Sequence, residues 1–425
     1  MPDSGVPTPG PNPALRPGRR AEVEGHGSWL AAGITLALLS VSYGSPLLIV
    51  VGLKPITESL HTNREVVALA AALSWVGTGL GGILMGWVAD RIGIRRTVIF
   101  GAVNIAAGLL LSSTGKIWAI YIGHGLLLGL LGNGAMFPPL MVYVSRWFEA
   151  RRGTALALIS SGQYIAGMIW PSVFQHGIAS YGWEWTMIAY AAVVVVTIPP
   201  LAALYLHPAP ETPLPSVLEG RGRAKPTVFG MPPNLVLGML CAAGFCCCVP
   251  MALPQSHLVA FCSDVGISAV QGAAMLSVLQ ACAFVSRQFW GWLADRVGGL
   301  PTLLAGSACQ ALAIGAFMLT QNEVGLFAVS AAFGLGFSGI VPAYVLIVRE
   351  LFPSSEASWR VPMVLFVSMG GMAFGSWWAG ALYDHFGFYG PAFASGVIFN
   401  LANLTLIGFL VLKRGWGGGL RTAAA

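Results

Sequence analysis

Arg287 is the residue of this chain whose type and position most directly suggest chemistry. It lies inside a long apolar run, residues 275–291, whereas almost all other charged residues fall between such runs. Placing an arginine in membrane hydrocarbon costs roughly 2.5–3.5 kcal/mol on insertion scales. An arginine kept in such a place predicts a function, and the simplest function is to hold an anion partway across a membrane.

The surroundings of Arg287 offer it no obvious acidic partner. None of the 16 Asp and Glu residues falls in the middle of a predicted span, and Asp295 lies two turns further on, about 12 Å along a helix axis. A substrate carboxylate could bind the guanidinium bidentately, and one cation best balances one negative charge. The alternative is that Arg287 extends to the membrane surface or bonds to backbone carbonyls.

The composition predicts a protein that resides in lipid. Hydrophobic residues make up 56% of the 425 positions and charged residues only 9%, where a soluble domain averages about 25% charged residues. The formal charge of +6 is spread over short loops, which argues against nucleic acid as a partner. The seven cysteines show no zinc-site spacing, so we interpret them as packing residues and expect no metal or cofactor.

Apolar runs of about 20 residues, the length needed to cross a bilayer, set the organisation of the chain. We predict twelve spans: 29–51, 66–88, 97–114, 117–143, 154–175, 185–206, 234–257, 271–293, 300–320, 324–347, 361–383 and 391–412. The proline-rich residues 1–28 are predicted to be a disordered tail rather than a signal peptide. A polar linker over 207–233 separates a six-helix bundle at 29–206 from a second at 234–414, and 415–425 form a C-terminal tail.

Lysine and arginine positions predict the orientation, because these residues accumulate on the cytoplasmic side. With both termini in the cytoplasm, the outer loops hold only Lys54, Arg64 and Lys116. The remaining Lys and Arg between spans then fall inside: Arg16, Arg19, Arg20, Arg91, Arg95, Arg96, Arg146, Arg151, Arg152, Arg221, Arg223, Lys225, Arg296, Arg349, Arg360, Lys413, Arg414 and Arg421. We therefore expect a multi-pass protein of the plasma (inner) membrane.

A repeated motif ends the second span of each predicted bundle. Gly-Trp-Val-Ala-Asp-Arg-Ile-Gly at 86–93 matches Gly-Trp-Leu-Ala-Asp-Arg-Val-Gly at 291–298, and the first copy continues to Arg95 and Arg96. Its acid can bond to a helix N-terminus or an arginine and hold the two halves in one state. The predicted gating and structural residues are Gly86, Asp90, Arg91, Gly93, Arg95, Arg96, Gly291, Asp295, Arg296 and, near the end of the eleventh span, Asp384.

This double motif resembles the signature loop of the major facilitator superfamily. Within it, residues 147–162, 380–393 and 43–47 are similar to conserved stretches of the monocarboxylate and oxalate/formate transporter group. Arg287, four residues before Gly291, matches the group's helix 8 arginine, which binds substrate carboxylate. The resemblance implies an all-α membrane protein of twelve helices in two pseudo-symmetric bundles, working by alternating access.

Three departures from that group restrict what the resemblance implies. Leu47 and Ala283 stand where the animal carriers have a lysine and an aspartate tied to proton coupling, and Met369 lies near the second cation of oxalate carriers. Proton symport by the animal scheme and tight binding of a dianion are therefore not expected from these positions.

Other polar residues within the predicted spans are candidate substrate contacts. Gln280 lies seven residues before Arg287 on the same helical face, and Tyr344 matches a family position occupied by a substrate-facing tyrosine. The remaining candidates are Tyr43, Asn133, Tyr143, Gln163 and Tyr164. Each could instead make a helix-to-helix hydrogen bond. His124 and His257, near span ends, are candidates for carrying a coupled proton.

The leading hypothesis is a secondary active or facilitative transporter of small monocarboxylates such as lactate or pyruvate. The alternative is a carrier of another organic anion, which would be oxalate and formate in exchange or an aromatic acid. A carrier of a drug-like solute is the remaining alternative. An enzyme is not expected, because the spans hold no paired carboxylates, no Gly-x-Ser-x-Gly and no His-Glu-x-x-His, and a nucleotide-driven pump would need a phosphate-binding loop that is lacking. The expected partners are a small organic anion, a coupled proton as a candidate, and the bilayer.

Overall fold

The chain folds as a bundle of helices in the computed structural model, which describes residues 25–148, 151–207 and 227–422. An N-terminal group consists of α1 His26–Ser42, α2 Leu47–Val51, α3 Leu53–Ser59, α4 Arg64–Ile92, α5 Ile94–Ser112, α6 Ile117–Tyr121, a π-helix Ile122–Gly132, a 3₁₀ turn Asn133–Ala135, α7 Phe137–Ser145, α8 Arg152–Ser160, α9 Gly162–Tyr181 and α10 Trp183–Tyr205. A C-terminal group consists of α11 Pro233–Asp264, α12 Ala269–Val297, α13 Gly299–Leu319, α14 Glu323–Phe337, α15 Ile340–Leu351, α16 Ser354–Phe386 and α17 Gly390–Thr422. The described residues contain no β-strand beyond one isolated bridge between Val228 and Met231.

Eleven helical segments of the described chain are long and apolar enough to cross a membrane. They correspond to eleven of the twelve predicted spans. The predicted span 154–175 is also helical, but it is divided between α8 and α9, and polar side chains such as Gln163 and Gln175 lower its hydropathy. The all-α membrane architecture expected from the sequence is therefore confirmed.

The fourth span departs from regular α-helix at its centre. Its π-helix packs so closely on α4 that a Cβ on Gly77 or Gly81 would collide with the backbone carbonyls of Gly125 or Leu130. Wide π turns commonly occur at functional sites. The π-helix ends at Gly132, and the next residue, Asn133, begins the 3₁₀ turn and lines a cavity in the middle of the bundle.

The two groups of helices meet along two main seams. The N-terminal helix α4 packs on α16, and the N-terminal helix α9 packs antiparallel on α12. Two ends of the bundle can be named from their charges. The Arg64 end holds the start of α4 and the end of α11, and the Arg146 end holds the end of α4 and the end of α12.

Several sequence predictions fall outside the described residues. They are the tail before residue 25, the linker positions 208–226 with Arg221, Arg223 and Lys225, and the last residues 423–425. The backbone of Asp295 lies in α12, but its side chain is not among those described.

Candidate functional site

A cavity lies between the two groups of helices at mid-height of the bundle. The space open to the centres of water molecules is about 80 Å³, and since one water needs roughly 10–15 Å³ by this measure, a small organic solute fits. The lining residues are Tyr43, Pro46, Leu47, Val50, Ala71, Ser74, Trp75, Thr78, Asn133, Gln163, Tyr164, Gln255, Ser256 and Gln280. Both groups of helices contribute residues to this lining.

Five of the eight predicted substrate contacts line this cavity, namely Tyr43, Asn133, Gln163, Tyr164 and Gln280. Tyr43 reaches it because the chain breaks between α1 and α2 at a turn that ends on Pro46. Asn133 is held in place by the hydroxyl of Ser42, which donates to its Oδ1 at 2.5 Å. The structure therefore brings together residues that are far apart along the chain.

Arg287 lies beside the cavity and reaches it through Tyr164. Its Nη1 donates to the Tyr164 hydroxyl at 3.1 Å, and its guanidinium carbon lies 5.3 Å from the centroid of that ring. No carboxylate of the described residues lies within ion-pairing distance, 4.0 Å, of Arg287. The half-buried guanidinium is thus available to an anion that enters next to Tyr164.

Tyr344 and Tyr143 do not lie at the cavity. Tyr344 is only 1% exposed, inside the C-terminal group, and donates its hydroxyl to Asn403 Oδ1 at 3.0 Å. Tyr143 faces a separate crevice at the Arg146 end beside Gly86 and Asp90. In this conformation neither supports the predicted substrate contact, because the faces of α7 and α15 that carry them point away from the cavity.

An ion pair closes the Arg64 end between the two groups. Arg64 of α4 binds both oxygens of Asp264 at the end of α11, with Nη2 to Oδ1 at 2.8 Å, and Lys54 adds a second cation at 3.5 Å. Side-chain exposure is 8% for Arg64 and 19% for Asp264, so the pair is largely out of water. Sequence reasoning treated Arg64 as a loop residue and assigned Asp264 no role.

Asp384, predicted as a gating residue, acts at this same closure. Its carboxylate accepts from the backbone N–H groups of Arg64 at 3.0 Å and Glu65 at 2.7 Å, which are free donors at the start of α4. Gly380, one turn earlier, allows the approach, because a Cβ there would press on the backbone of Glu65. The end of α16 therefore caps α4 across the boundary between the groups.

A hydrogen-bond chain extends from the ion pair into the protein. Arg64 Nη1 donates to the Tyr389 hydroxyl at 3.0 Å, which lies 3.0 Å from His257 Nδ1, and His257 Nε2 lies 2.8 Å from the Ser376 carbonyl. Since a carbonyl only accepts, Nε2 carries the proton and Nδ1 accepts from Tyr389. Burial raises the pKa of Tyr389, so that hydroxyl stays protonated. His257, predicted near a span end, is buried one residue from the cavity wall at Ser256.

The Arg146 end carries the repeated motif, and the ion pairs described there join residues of one group of helices. Asp90 pairs with Arg146 at 3.3 Å, with 68% and 47% of the side chains exposed, and the equivalent region of the C-terminal group pairs Glu350 with Arg414 at 3.6 Å. Arg91 stacks on Trp87 and Arg296 on Trp292 in equivalent positions. Among the described side chains, the partner of Asp90 is Arg146 of its own group, so they show no clamp between the halves through Asp90.

The glycines of the motif divide into two kinds. Gly93 and Gly298 both have φ of +86°, a region that side chains disfavour, so the predicted sharp turn is present in both copies. A Cβ added to Gly86 or Gly291 would have no atom within 4 Å, so the close approach predicted for Gly86 is not made here. Arg95 and Arg96 are exposed at the start of α5.

The described residues hold no group of three or more His, Cys, Asp or Glu side chains that could bind a metal ion. His124, the second histidine predicted near a span end, is buried like His257. Its Nδ1 lies 3.0 Å from the Ser112 hydroxyl, and its Nε2 has no hydrogen-bond partner. The site brings together one cation, Arg287, with neutral polar side chains and aromatic rings.

Comparison with known proteins finds similarity to transporters of one superfamily, in sequence and in fold. The family model described as Major Facilitator Superfamily matches residues 30–358 and 240–418. The chain is 25% identical over 363 residues to the MFS-type transporter pynF of Aspergillus niger, covering 82% of this chain and 81% of that protein. It is 25% identical to monocarboxylate transporter 13 of Rattus norvegicus, covering 79% and 77%. A crystal structure of the peptide transporter POT (E310Q mutant) in complex with sulfate superposes with a TM-score of 0.67 at 15% identity, over 90% of this chain and 95% of that one.

Proposed function

The chain belongs to the Major Facilitator Superfamily, and from that premise we propose that this membrane transporter carries small monocarboxylates of the lactate and pyruvate type. Transport is secondary active or facilitative and proceeds by alternating access. Arg287 binds the carboxylate next to Tyr164, and the cavity lined by Tyr43, Leu47 and Val50 accepts a short apolar chain.

The observation that carries this proposal is the environment of Arg287. Its partner among the described residues is a neutral hydroxyl, that of Tyr164, and it lies beside a cavity shared by both groups of helices. A partly buried guanidinium without a carboxylate is costly, and an incoming anion removes that cost. Because the single positive charge balances a single negative one, the site favours a monoanion over a dianion.

The contacts at the two ends support alternating access. The Arg64 end is closed by an ion pair and a helix cap that join the two groups, whereas the ion pairs described at the Arg146 end lie within one group. With the orientation predicted from Lys and Arg, this is the state closed to the outside. Breaking the Arg64–Asp264 pair and engaging Asp90 across the boundary would give the opposite state, with bundles 29–206 and 234–414 rocking as bodies.

Uptake of labelled lactate into proteoliposomes tests the proposal, with and without an imposed pH gradient. Arg287→Gln should lower kcat/KM about 10- to 100-fold, since a hydrogen bond to a charged group contributes about 1.5–3 kcal/mol. Arg349→Gln is the control, because Arg349 is an exposed arginine at the end of α15, and this variant should retain uptake. Stimulation by the gradient would show proton coupling without an acid in mid-span.

Two results would overturn the proposal. One is lactate and pyruvate uptake no faster than in empty liposomes for the wild type. The other is equal uptake by wild type and Arg287→Gln. Either result would contradict the assignment of Arg287, next to Tyr164, as the binding site of a substrate carboxylate.

A second candidate function is transport of a larger aromatic acid or drug-like solute. It is favoured by the three aromatic side chains of the lining, Tyr43, Trp75 and Tyr164. Thermal stabilisation across a ligand panel separates the two candidates, because a ligand stabilises only a protein that binds it. Stabilisation by aromatic acids but not by lactate or pyruvate would favour this second function.

A further inference from the structure

Gln280 differs from every other lining side chain of the central cavity. Among the lining residues described, it alone has a buried side-chain oxygen or nitrogen without a hydrogen-bond partner, its Oε1. Two other lining amides are engaged: Asn133 accepts from Ser42 at 2.5 Å, and Gln255 donates to the Met251 carbonyl at 3.2 Å. Gln280 is 5% exposed, so its side chain is packed into the wall of the cavity.

The seam between α9 and α12 fixes where that amide lies. Three contacts succeed one another along these antiparallel helices: Arg287 bonds to Tyr164, Gln280 packs on Gly167, and the Ser277 hydroxyl lies 3.4 Å from that of Ser172. A Cβ on Gly167 would collide with the Gln280 side chain. The glycine therefore creates the space that Gln280 occupies, and the packing keeps the amide at the cavity.

Two recognition points consequently lie on one face of α12. Arg287 with Tyr164 supplies a point for negative charge, and Gln280, two turns toward the Arg64 end, supplies an uncharged amide. Side chains on a helix point toward its N-terminus, so the long Arg287 side chain reaches back toward Gln280. The Cα atoms of the two residues lie about 10 Å apart along the helix axis, and the length of the Arg287 side chain shortens the gap between guanidinium and amide that a short solute would span.

We propose that the transported monocarboxylate carries a hydroxyl group, which donates its hydrogen to Gln280 Oε1 while Arg287 binds the carboxylate. This inference rests on the proposed function and narrows its substrate class to short hydroxy acids. A hydroxyl both donates and accepts, whereas the oxygen of a 2-oxo acid only accepts and an unsubstituted acid does neither. A site that leaves a buried polar group unpaired with the wrong substrate discriminates strongly against that substrate.

Competition against uptake of labelled lactate by the full-length protein in proteoliposomes tests the proposal. The unlabelled competitors are lactate, 3-hydroxypropionate, propionate and pyruvate, which differ in the substituent and hardly in size. At least one hydroxy acid should compete about tenfold more effectively than propionate and pyruvate, the scale expected for one unpaired buried group. Gln280→Met should reduce this preference to within about twofold while propionate still competes.

Gln175→Met is the matched control. Gln175 is also buried and also has an unpartnered Oε1, but it lies on α9 away from the cavity, so the preference for hydroxy acids should persist. Gly167→Ala is a second variant that displaces the amide without removing it and should also weaken the preference. It replaces Gln280→Met as the test if that variant fails to fold.

The outcomes separate this inference from the proposed function. If propionate and pyruvate compete as well as both hydroxy acids, or if the preference is unchanged in a folded Gln280→Met or Gly167→Ala variant, Gln280 does not read a hydroxyl. If labelled lactate uptake is no faster than in empty liposomes, or if Arg287→Gln leaves it unchanged, the proposed function itself fails.

Discussion

Removing the charge of Asp264 should open the Arg64 end of the bundle. Asp264→Asn breaks an ion pair in which both side chains are less than one fifth exposed, and leaving one buried partner costs about 3–5 kcal/mol. Arg64 would keep the Tyr389 hydroxyl at 3.0 Å and the Tyr383 ring at 3.7 Å, so we expect the lower value, about 3 kcal/mol. At 1.4 kcal/mol per factor of ten, the ratio of closed to open molecules should fall about a hundredfold.

Hydrogen–deuterium exchange measures this opening without a probe attached to the protein. The backbone N–H groups of Arg64 and Glu65 donate to Asp384, so they exchange only when the closure opens. A peptide covering residues 60–70 should exchange up to about a hundredfold faster in Asp264→Asn, by the same conversion. Peptides from α13 should exchange as in the wild type, which distinguishes local opening from unfolding.

Arg146→Gln is the matched control for the exchange experiment. It breaks the ion pair with Asp90 at the opposite end, where the two side chains are 47% and 68% exposed and such exposed pairs contribute little. Exchange over residues 60–70 should not increase in this variant. Unchanged exchange over the same residues in Asp264→Asn would refute the assignment of the Arg64–Asp264 pair as the closure.

A double-mutant cycle provides a sharper form of the same test. If Arg64 and Asp264 act as a pair, the double variant Arg64→Gln, Asp264→Asn should lose less free energy of closure than the sum of the losses in the two single variants. The reason is that no unpaired charge remains in the double variant. Strict additivity would mean that the two residues act independently.

Two further predictions concern the hydrogen bonds and packing around these helices. Tyr389→Phe removes the acceptor of Arg64 and the donor to His257, so exchange over residues 60–70 should rise, but less than in Asp264→Asn, and no rise would exclude the hydroxyl from the closure. Gly81→Ala places a Cβ against the Leu130 carbonyl. This overpacking should lower the free energy of unfolding by about 1–3 kcal/mol. Gly86→Ala meets open space and should leave the thermal midpoint unchanged or slightly higher, and equal midpoints for the two variants would contradict the packing described.

The repeated motif shows how far local sequence rules reach. Gly93 and Gly298 occupy matching places in two copies, and both adopt the positive φ that favours glycine, because the turn is a property of a few consecutive residues. The role of Asp90 depends on which helix lies opposite, and in this conformation that partner is Arg146 of its own group. A motif thus predicts its own backbone better than its contacts.

Tyr344 illustrates a limit of positional resemblance. Its place in a span and its polar hydroxyl are visible in the sequence, but the direction of the side chain depends on how α15 is rotated in the bundle. The structure turns it to Asn403, 59 residues away in the chain. Gln280 was a candidate from its spacing to Arg287, yet that spacing gives no sign that its oxygen lacks a partner.

The sequence by itself determined the apolar spans, the two-fold motif and an arginine without an acidic neighbour, because these depend on composition and on the 3.6-residue period of a helix. Tertiary structure alone decided that Arg64 meets Asp264 across 200 residues of chain, that Tyr164 connects Arg287 to a cavity, and that His257 lies behind the closure. In a membrane every span is apolar over most of its surface, so hydrophobicity places a helix in the bilayer but cannot select its neighbours. That choice is made by close packing at glycines and by a few polar contacts, which exist only once the helices have assembled.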